Sequence, residues 1–413
     1  TRRPSVLTAQ FEPKGSYARQ DIIAKAYAYF DVSETIVGLR HSQLEISYDA
    51  GKSWEAIKEL KDHKVENFHL DPLYSERGFA FTTGDQFFTN DKGKTWRKFE
   101  FEHLDKKKGP VRVDLSPIIK VNSANNDLAI VEIYECPKHS LYSLECHKVH
   151  FLTTDGFKAP LKEIVSPQAG GGFELGSCIF AKAGSQFKAA ETETILCSRS
   201  KRNTFGHIVE SQLVRSDDFF KTEKVLGHTN AKVGHVIDVR VVADFIVAVV
   251  QNDKYNADSS VSLLVSTDAV HFEVADFLVK FTYGQILFLE ASTPLSIFVS
   301  IRDLTSLSWL NENLYSSDST GLKFTCLLEN ISRDSLHKVQ TIDGVWMANV
   351  LLKEKDLIAI GTEGLKSVIS FDDGKTWDSV KIDPEFCDSD KKGDCNLQFF
   401  STVERDGVGD LVT

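Results

Sequence analysis

Methionine is nearly absent, with one in 413 residues, and no apolar run approaches the ~20 residues that a membrane-spanning helix needs. The longest such stretch, Val241–Val250, is interrupted by Asp244. The opening Thr1-Arg2-Arg3-Pro4 is not a signal peptide. Excess positive charge is lacking too. The formal net charge is −11 and the pI about 5.6, which argues weakly against nucleic acid, a partner that wants clustered positive charge. The one basic run, Lys106-Lys107-Lys108, leads into Gly109-Pro110 and reads as a solvated loop. No P-loop, Rossmann glycine pattern, HExxH or CxxC occurs, so the common phosphate, dinucleotide and zinc chemistries have no foothold. Cys136, His139, Cys146, His147 and His150 cluster, but their spacing is irregular for a metal. A disulfide beside loop histidines accounts for them, and neither metal nor cofactor is expected.

Phenylalanine, by contrast, is abundant at 28 residues and suits half-buried strands. The length would ordinarily indicate two or three domains, but one repeat array can absorb it. Of seven cysteines, six fall into pairs of short separation: Cys136/Cys146, Cys178/Cys197 and Cys387/Cys395. Disulfides closing these loops fit an oxidising compartment, the alternative being six buried thiols. Cys326 is left over as a free thiol. Asn330-Ile331-Ser332 is a sequon and points the same way, with Asn330 as a glycosylation candidate.

One pattern recurs. Ser47-Tyr48-Asp49-Ala50-Gly51-Lys52-Ser53-Trp54, Thr89-Asn90-Asp91-Lys92-Gly93-Lys94-Thr95-Trp96 and Ser370-Phe371-Asp372-Asp373-Gly374-Lys375-Thr376-Trp377 all fit S/T-x-D-x-G-x-S/T-W. Weaker copies centre on Asp155, Asp217, Asp268 and Asp318. The intervals from Asp49 to Asp372 match one four-stranded propeller blade. The chemistry is that of a turn. The carboxylate accepts backbone N–H groups, the glycine takes φ > 0, the hydroxyls add local bonds, and the aromatic packs beneath. Each copy, known as an Asp box, is therefore a structural clip between the third and fourth strands of a blade. Strands are expected over Ile22–Phe30, Thr35–Leu39, Leu44–Ser47, Gly78–Thr82, Gln86–Thr89, Val239–Val250 and Ser262–Ser266, with no helix beyond two turns. The fold class is all-β, a β-propeller. Its blades span about 15–60, 64–100, 101–163, 164–226, 227–276, 277–330 and 335–384, with an eighth beginning at about 395–413.

Asp boxes are shared by sialidases, some other glycosidases and sortilin-like receptors. The flanking residues resemble the receptors. Asp71-Pro72 leads to Thr82-Thr83-Gly84 and Phe87-Phe88-Thr89-Asn90-Asp91; Ser177-Cys178-Ile179-Phe180-Ala181 is followed by Cys197; and the Asp372 box is followed by Cys387 and Cys395-Asn396-Leu397-Gln398. The chain is similar to the fungal vacuolar sorting receptors that carry carboxypeptidase Y. A sialidase would need an arginine cluster with a Tyr/Glu pair and an acid Asp, and the Arg-Ile-Pro stretch before the first box is missing. The alternatives weighed against a receptor are that glycosidase and a purely structural or adhesion propeller.

The resemblance implies a ten-bladed propeller with a wide tunnel, of which this chain covers about seven to eight blades, and a membrane anchor outside it. It implies a cargo-binding receptor and no enzyme, acting on soluble vacuolar or lysosomal hydrolases or their propeptides between Golgi and endosome in the secretory lumen. The carboxylate-clamping arginine of animal sortilin falls near Val261 or Ser262 and is therefore absent. Matching contacts fall at Val247, Val249 and Tyr283, and the loop carrying Asn252 and Tyr255 is a further ligand-binding candidate. The 12 histidines suggest cargo binding that weakens below about pH 6.

Overall fold

The structure, a computed structural model, describes residues 26–31, 33–71, 73–82, 84–102, 112–113, 117–136, 147–182, 190–204, 208–226, 235–252, 259–289, 295–303, 311–332, 335–339, 342–351 and 365–380. Among them the regular elements are β-strands and three short 3-10 turns. The chain forms two compact units that divide near Lys98.

The first unit holds two four-stranded antiparallel sheets. One comprises Ala26–Tyr29, Ile36–Arg40, Gln43–Ser47 and Glu55–Ala56; the other Val65–Leu70, Gly78–Thr82, Gln86–Thr89 and Arg97–Phe99. In both, sequence neighbours are spatial neighbours, as in a propeller blade. The sheets share one core of Phe30, Val37, Ile46, Phe68, Phe87 and Trp96. Gly93 lies at φ 80 where a Cβ would come 2.6 Å from Ile46, so its place both demands a left-handed backbone and leaves no room for a side chain.

The second unit repeats the plan. The third sheet runs Ile118–Val121, Ala129–Cys136, His147–Thr153 and Lys162–Glu163, with Arg112–Val113 beside the second of these strands. The fourth sheet is Phe173–Phe180, Ile195–Arg202, Ile208–Ser216 and Lys224–Val225. The fifth is His235–Val242, Phe245–Gln251, Val261–Ser266 and Glu273–Val274. The sixth, Ile286–Leu289, Phe298–Asp303, Asn311–Ser317 and Phe324–Ser332, joins the seventh, His337–Lys338, Trp346–Leu351, Leu365–Ser370 and Asp378–Ser379, through Ile331 and Val350. The chain is all-β and of the β-propeller class.

Within the second unit, packing is face to face between successive sheets. Phe245–Val250 is wholly buried because its side chains alternate between two interfaces. Ile246, Ala248 and Val250 meet Leu196 and Leu213 of the fourth sheet, while Phe245, Val247 and Val249 meet Val299 and Tyr315 of the sixth. A two-sided environment explains an unbroken apolar run in an antiparallel strand, which with one wet face would alternate. Cys178 and Cys197 lie opposite each other in register, fully buried, and are bridged. Cys326 is free and half-buried. The pairings proposed for Cys136–Cys146 and Cys387–Cys395 lie outside the described side chains.

The box clips share one hydrogen-bond scheme. At the first, Ser47 Oγ donates to Asp49 Oδ1 at 2.8 Å and accepts Gly51 N–H at 2.8 Å. Asp49 accepts Ser53 N–H at 2.8 Å and Ser53 Oγ–H at 2.6 Å, and the Trp54 indole N–H reaches Gly51 O at 3.0 Å. These donors hold the Asp49 carboxyl down at about 2. The boxes at Asp91 and Asp372 repeat the scheme. Asp155, Asp268 and Asp318 keep the carboxylate role with altered donors: His271 replaces the hydroxyl at Asp268, and Thr320 bonds Asp318.

One expectation is corrected. In the fourth sheet the clip carboxylate is Asp218, which takes Ser216 Oγ–H, Thr222 N–H and Thr222 Oγ–H. Asp217 instead receives Thr194 Oγ1–H and Arg215. The reason is geometric, since the carboxylate must stand two residues after the leading hydroxyl to reach it.

Candidate functional site

A chain of polar side chains runs from the second strand of the third sheet, through the first strands of the third, fourth and fifth sheets, to the 3-10 turn Tyr283–Gln285 that leads into the sixth. It begins at Glu132, whose side chain is 2% exposed and is enclosed by Lys120 Nζ at 3.2 Å, Lys148 Nζ at 2.6 Å and His150 Nε2 at 3.3 Å. Burial works to raise the Glu132 carboxyl, but the His150 contact and the two lysine charges outweigh it and hold the group far below its usual range. Burial pushes His150 the other way, toward neutrality.

Lys120 then crosses to the fourth sheet. Its Nζ donates to Cys178 O at 2.9 Å and to Ser177 Oγ at 3.3 Å. Ser177 sits at a register shift between Leu175 and Cys178, an irregularity that re-aims its side chain. Its hydroxyl donates to Asp238 Oδ1 on the fifth sheet at 2.9 Å. Asp238 also lies at a register shift, and its Oδ2 accepts Arg240 Nε–H at 2.6 Å and Tyr283 O–H at 3.0 Å. Arg240 lies 5.4 Å from the Phe288 ring centroid on the sixth sheet. Burial opposes its charge, but Asp238 outweighs that and strengthens it. Burial, and then the Asp238 charge, raise the Tyr283 hydroxyl.

The arrangement presents a half-exposed cation, Arg240 at 44%, and a phenol, Tyr283 at 39%, both fixed from beneath. Groups of this kind suit binding, since they are held in place and combine apolar surface with directed donors. No nucleophile–base pair stands here, and the box carboxylates are occupied by their own turns. Among the described residues no group of His, Cys, Asp and Glu could hold a metal ion.

Of the ligand-contact candidates, Tyr283 joins this chain. Val247 and Val249 do not. Both are fully buried, with side chains turned into the interface with the sixth sheet, so neither can meet a ligand. Asn252 is exposed and held by Ser260 and Ser262, while Tyr255 lies outside the described residues. Sequence reasoning missed Lys120, Ser177, Asp238 and Arg240. Charged and hydroxyl residues inside otherwise apolar first strands, as in His235-Val236-Ile237-Asp238-Val239-Arg240, were the available signal.

Residues 42–412 match the Sortilin-Vps10 family, described as sortilin, neurotensin receptor 3. A protein of Debaryomyces hansenii named vacuolar protein sorting/targeting protein 10 is 41% identical over 99% of this chain and 26% of its own length. The like-named protein of Lodderomyces elongisporus is 35% identical over 98% of this chain and 27% of its own. The chain thus spans about a quarter of the length of the curated relatives it matches. Among solved structures, dipeptidyl peptidase 4 of Porphyromonas gingivalis overlaps 87% of this chain and 52% of its own, with TM-score 0.50 and 10% identity, a likeness of fold alone.

Proposed function

The chain belongs to the Sortilin-Vps10 family, a family of receptors, and from that premise we propose that it is the cargo-capturing part of a vacuolar sorting receptor. The receptor carries soluble hydrolases from the late Golgi toward the endosome and vacuole, and the cargo class is the hydrolases or their propeptides, carboxypeptidase Y among them. The names of the relatives support the route. The observation that carries the binding reading is the half-exposed Arg240 and Tyr283, both tied to Asp238 within a polar chain that spans four sheets. In a propeller, first strands line the central channel, so Arg240 on His235–Val242, and Tyr283 tied to it through Asp238 from the turn before Ile286–Leu289, would face an entering peptide segment. Arginine and tyrosine anchors dominate protein interfaces, and fixing them in advance lowers the entropic cost of binding.

The test is affinity capture of a carboxypeptidase Y propeptide by the chain, compared with Arg240→Ala and Tyr283→Ala variants whose melting curves certify folding. Binding reduced about tenfold or more by either change is expected, the scale of one good anchor. Failure of the intact chain to capture any vacuolar hydrolase would sink the receptor reading. Undiminished binding by both variants would move the cargo site elsewhere.

A further inference from the structure

We propose that Asn330 carries an N-linked glycan, and that the glycan closes the outer edge of the sixth sheet. Asn330-Ile331-Ser332 is the one Asn-x-Ser/Thr triplet of the chain. It falls near the end of Phe324–Ser332, where the strand is irregular: Asn330 has φ 57 and is exposed, and its N–H donates to Asn313 Oδ1 at 3.0 Å. Ile331 is fully buried between Glu312 and Val350. The backbone is therefore anchored on both sides of a residue whose side chain projects into solvent. The buried Cys178–Cys197 bridge places folding in an oxidising compartment, where a lipid-pyrophosphate-linked oligosaccharide is the available donor. In the transfer, Asn330 Nδ2 forms a bond to the sugar C1. The C1–O bond to the pyrophosphate breaks, the lipid pyrophosphate leaves with the electron pair, and one amide proton passes to the transferase base.

The edge gives the glycan a physical purpose. The fourth strands of the other sheets, such as Glu55–Ala56, Lys162–Glu163, Lys224–Val225 and Glu273–Val274, are two or three residues long. Phe324–Ser332 has nine. Among the described residues, the outer backbone edge of Thr325–Asn330 has no strand partner, and in its middle the side chains of Cys326, Leu327 and Leu328 pack against the neighbouring cores while staying only partly buried. Long, apolar, unpaired edges invite pairing with another chain, and proteins blunt them with charge, irregularity or cover. Here two register shifts against Asn311–Ser317 bend the strand, Glu329 adds charge, and a bulky solubilising sugar at Asn330 supplies the cover.

The chain is expressed through a yeast secretory pathway and read by mass spectrometry of the peptide holding Asn330, with endoglycosidase H mobility alongside. A glycosylated peptide and one mobility step are expected, lost in Asn330→Gln and Ser332→Ala and kept in Ser332→Thr. A predominantly unmodified Asn330, or a step that persists in Asn330→Gln, overturns the site. Sedimentation of trimmed against untrimmed chain tests the edge. More self-association after trimming is expected, and identical behaviour overturns the covering role.

Discussion

Arg77 Nε lies 2.6 Å from Asp71 Oδ2, with 4% of the arginine side chain and none of the aspartate's exposed. The same carboxylate accepts the N–H groups of Leu73 and Tyr74, and the guanidinium stacks over the Tyr74 ring at 4.5 Å. One ion pair thus ties the end of Val65–Leu70 to the start of Gly78–Thr82 across the turn between them. Removing either partner strands a buried charge, so Arg77→Ala and Asp71→Ala should each cost about 3–5 kcal/mol. A double replacement by apolar residues of similar volume should cost much less. Urea midpoints of the three variants check this, and a double variant as weak as the singles would contradict it.

Asp217 and Asp218 adjoin in sequence and differ in work. Asp218 gathers Ser216, Thr222 N–H and Thr222 Oγ–H into the clip, and these donors lower its carboxyl. Asp217 bridges Thr194 and Arg215 at the surface. Asp218→Ala should lower the melting temperature by about 2–4 °C, and Asp217→Ala by less than half as much. Scanning calorimetry distinguishes them, and the reverse order would restore Asp217 as the box residue.

Two clips place phenylalanine where the Asp49, Asp91 and Asp372 clips have glycine. Phe157 at φ 67 and Phe220 at φ 63 occupy left-handed backbone that bulky residues avoid. Each is buried, at 3% and 5%, and each N–H donates to the leading hydroxyl as the box glycine does elsewhere. Neither box has a tryptophan five residues after its aspartate, so the ring enters from the strained position instead. Phe→Gly there relieves about 1–2 kcal/mol of backbone strain but forfeits about 3–5 kcal/mol of burial. Both variants should therefore be destabilised by about 2–3 kcal/mol in denaturant titrations. A stabilised Phe157→Gly would show that strain dominates.

These boxes show how far the sequence could be read. Glycine and tryptophan at fixed distances from Asp49, Asp91 and Asp372 announce a local hydrogen-bond scheme, and local schemes survive in sequence. The Asp217 choice failed because two adjacent aspartates look alike until the offset from Ser216 is measured. Val247 and Val249 failed for another reason. Alternation within an apolar run does not say which neighbour each face meets, and here both faces meet other sheets. The Lys120–Ser177–Asp238–Tyr283 chain joins residues up to 61 positions apart pair by pair, a distance at which only the fold makes them neighbours.

His69 packs against the rings of Phe79 and Phe81, and burial lowers it from 6.5 to about 4 despite the opposing Asp71 charge. A folded state that refuses a proton the unfolded chain accepts loses stability as pH falls. The contribution is intact above pH 6.5 and drains away between 6.5 and about 4. At pH 5 the loss from this residue is about 2 kcal/mol. His235, also brought to about 4 by burial and then by Arg202, adds in the same direction. Urea titrations at pH 7.5 and 5.0 should show the drop, and His69→Phe should remove part of it. An unchanged pH dependence in that variant would clear His69 of the role.

Glu132 makes the opposite bargain, since its stability depends on staying charged. Its carboxylate stands between Lys120, Lys148 and His150, and its folded pKa is depressed. The stabilisation is complete above the ordinary carboxylate range and is lost progressively as pH falls from 4.5 toward the depressed folded value, so most of its loss lies below the window in which His69 acts. Glu132→Ala would leave two lysines facing each other over a partly buried gap, at a cost of about 3–5 kcal/mol. Lys120 also holds Ser177 and Cys178 O, so the loss should spread to the fourth sheet and loosen the support of Asp238. Hydrogen exchange of the amides in Phe173–Phe180 tests that spread. Faster exchange there, with Glu132→Gln intermediate between wild type and alanine, is the expected result. A stability loss confined to Ala129–Thr153 would mean that the polar chain is a row of separate contacts and not a coupled brace.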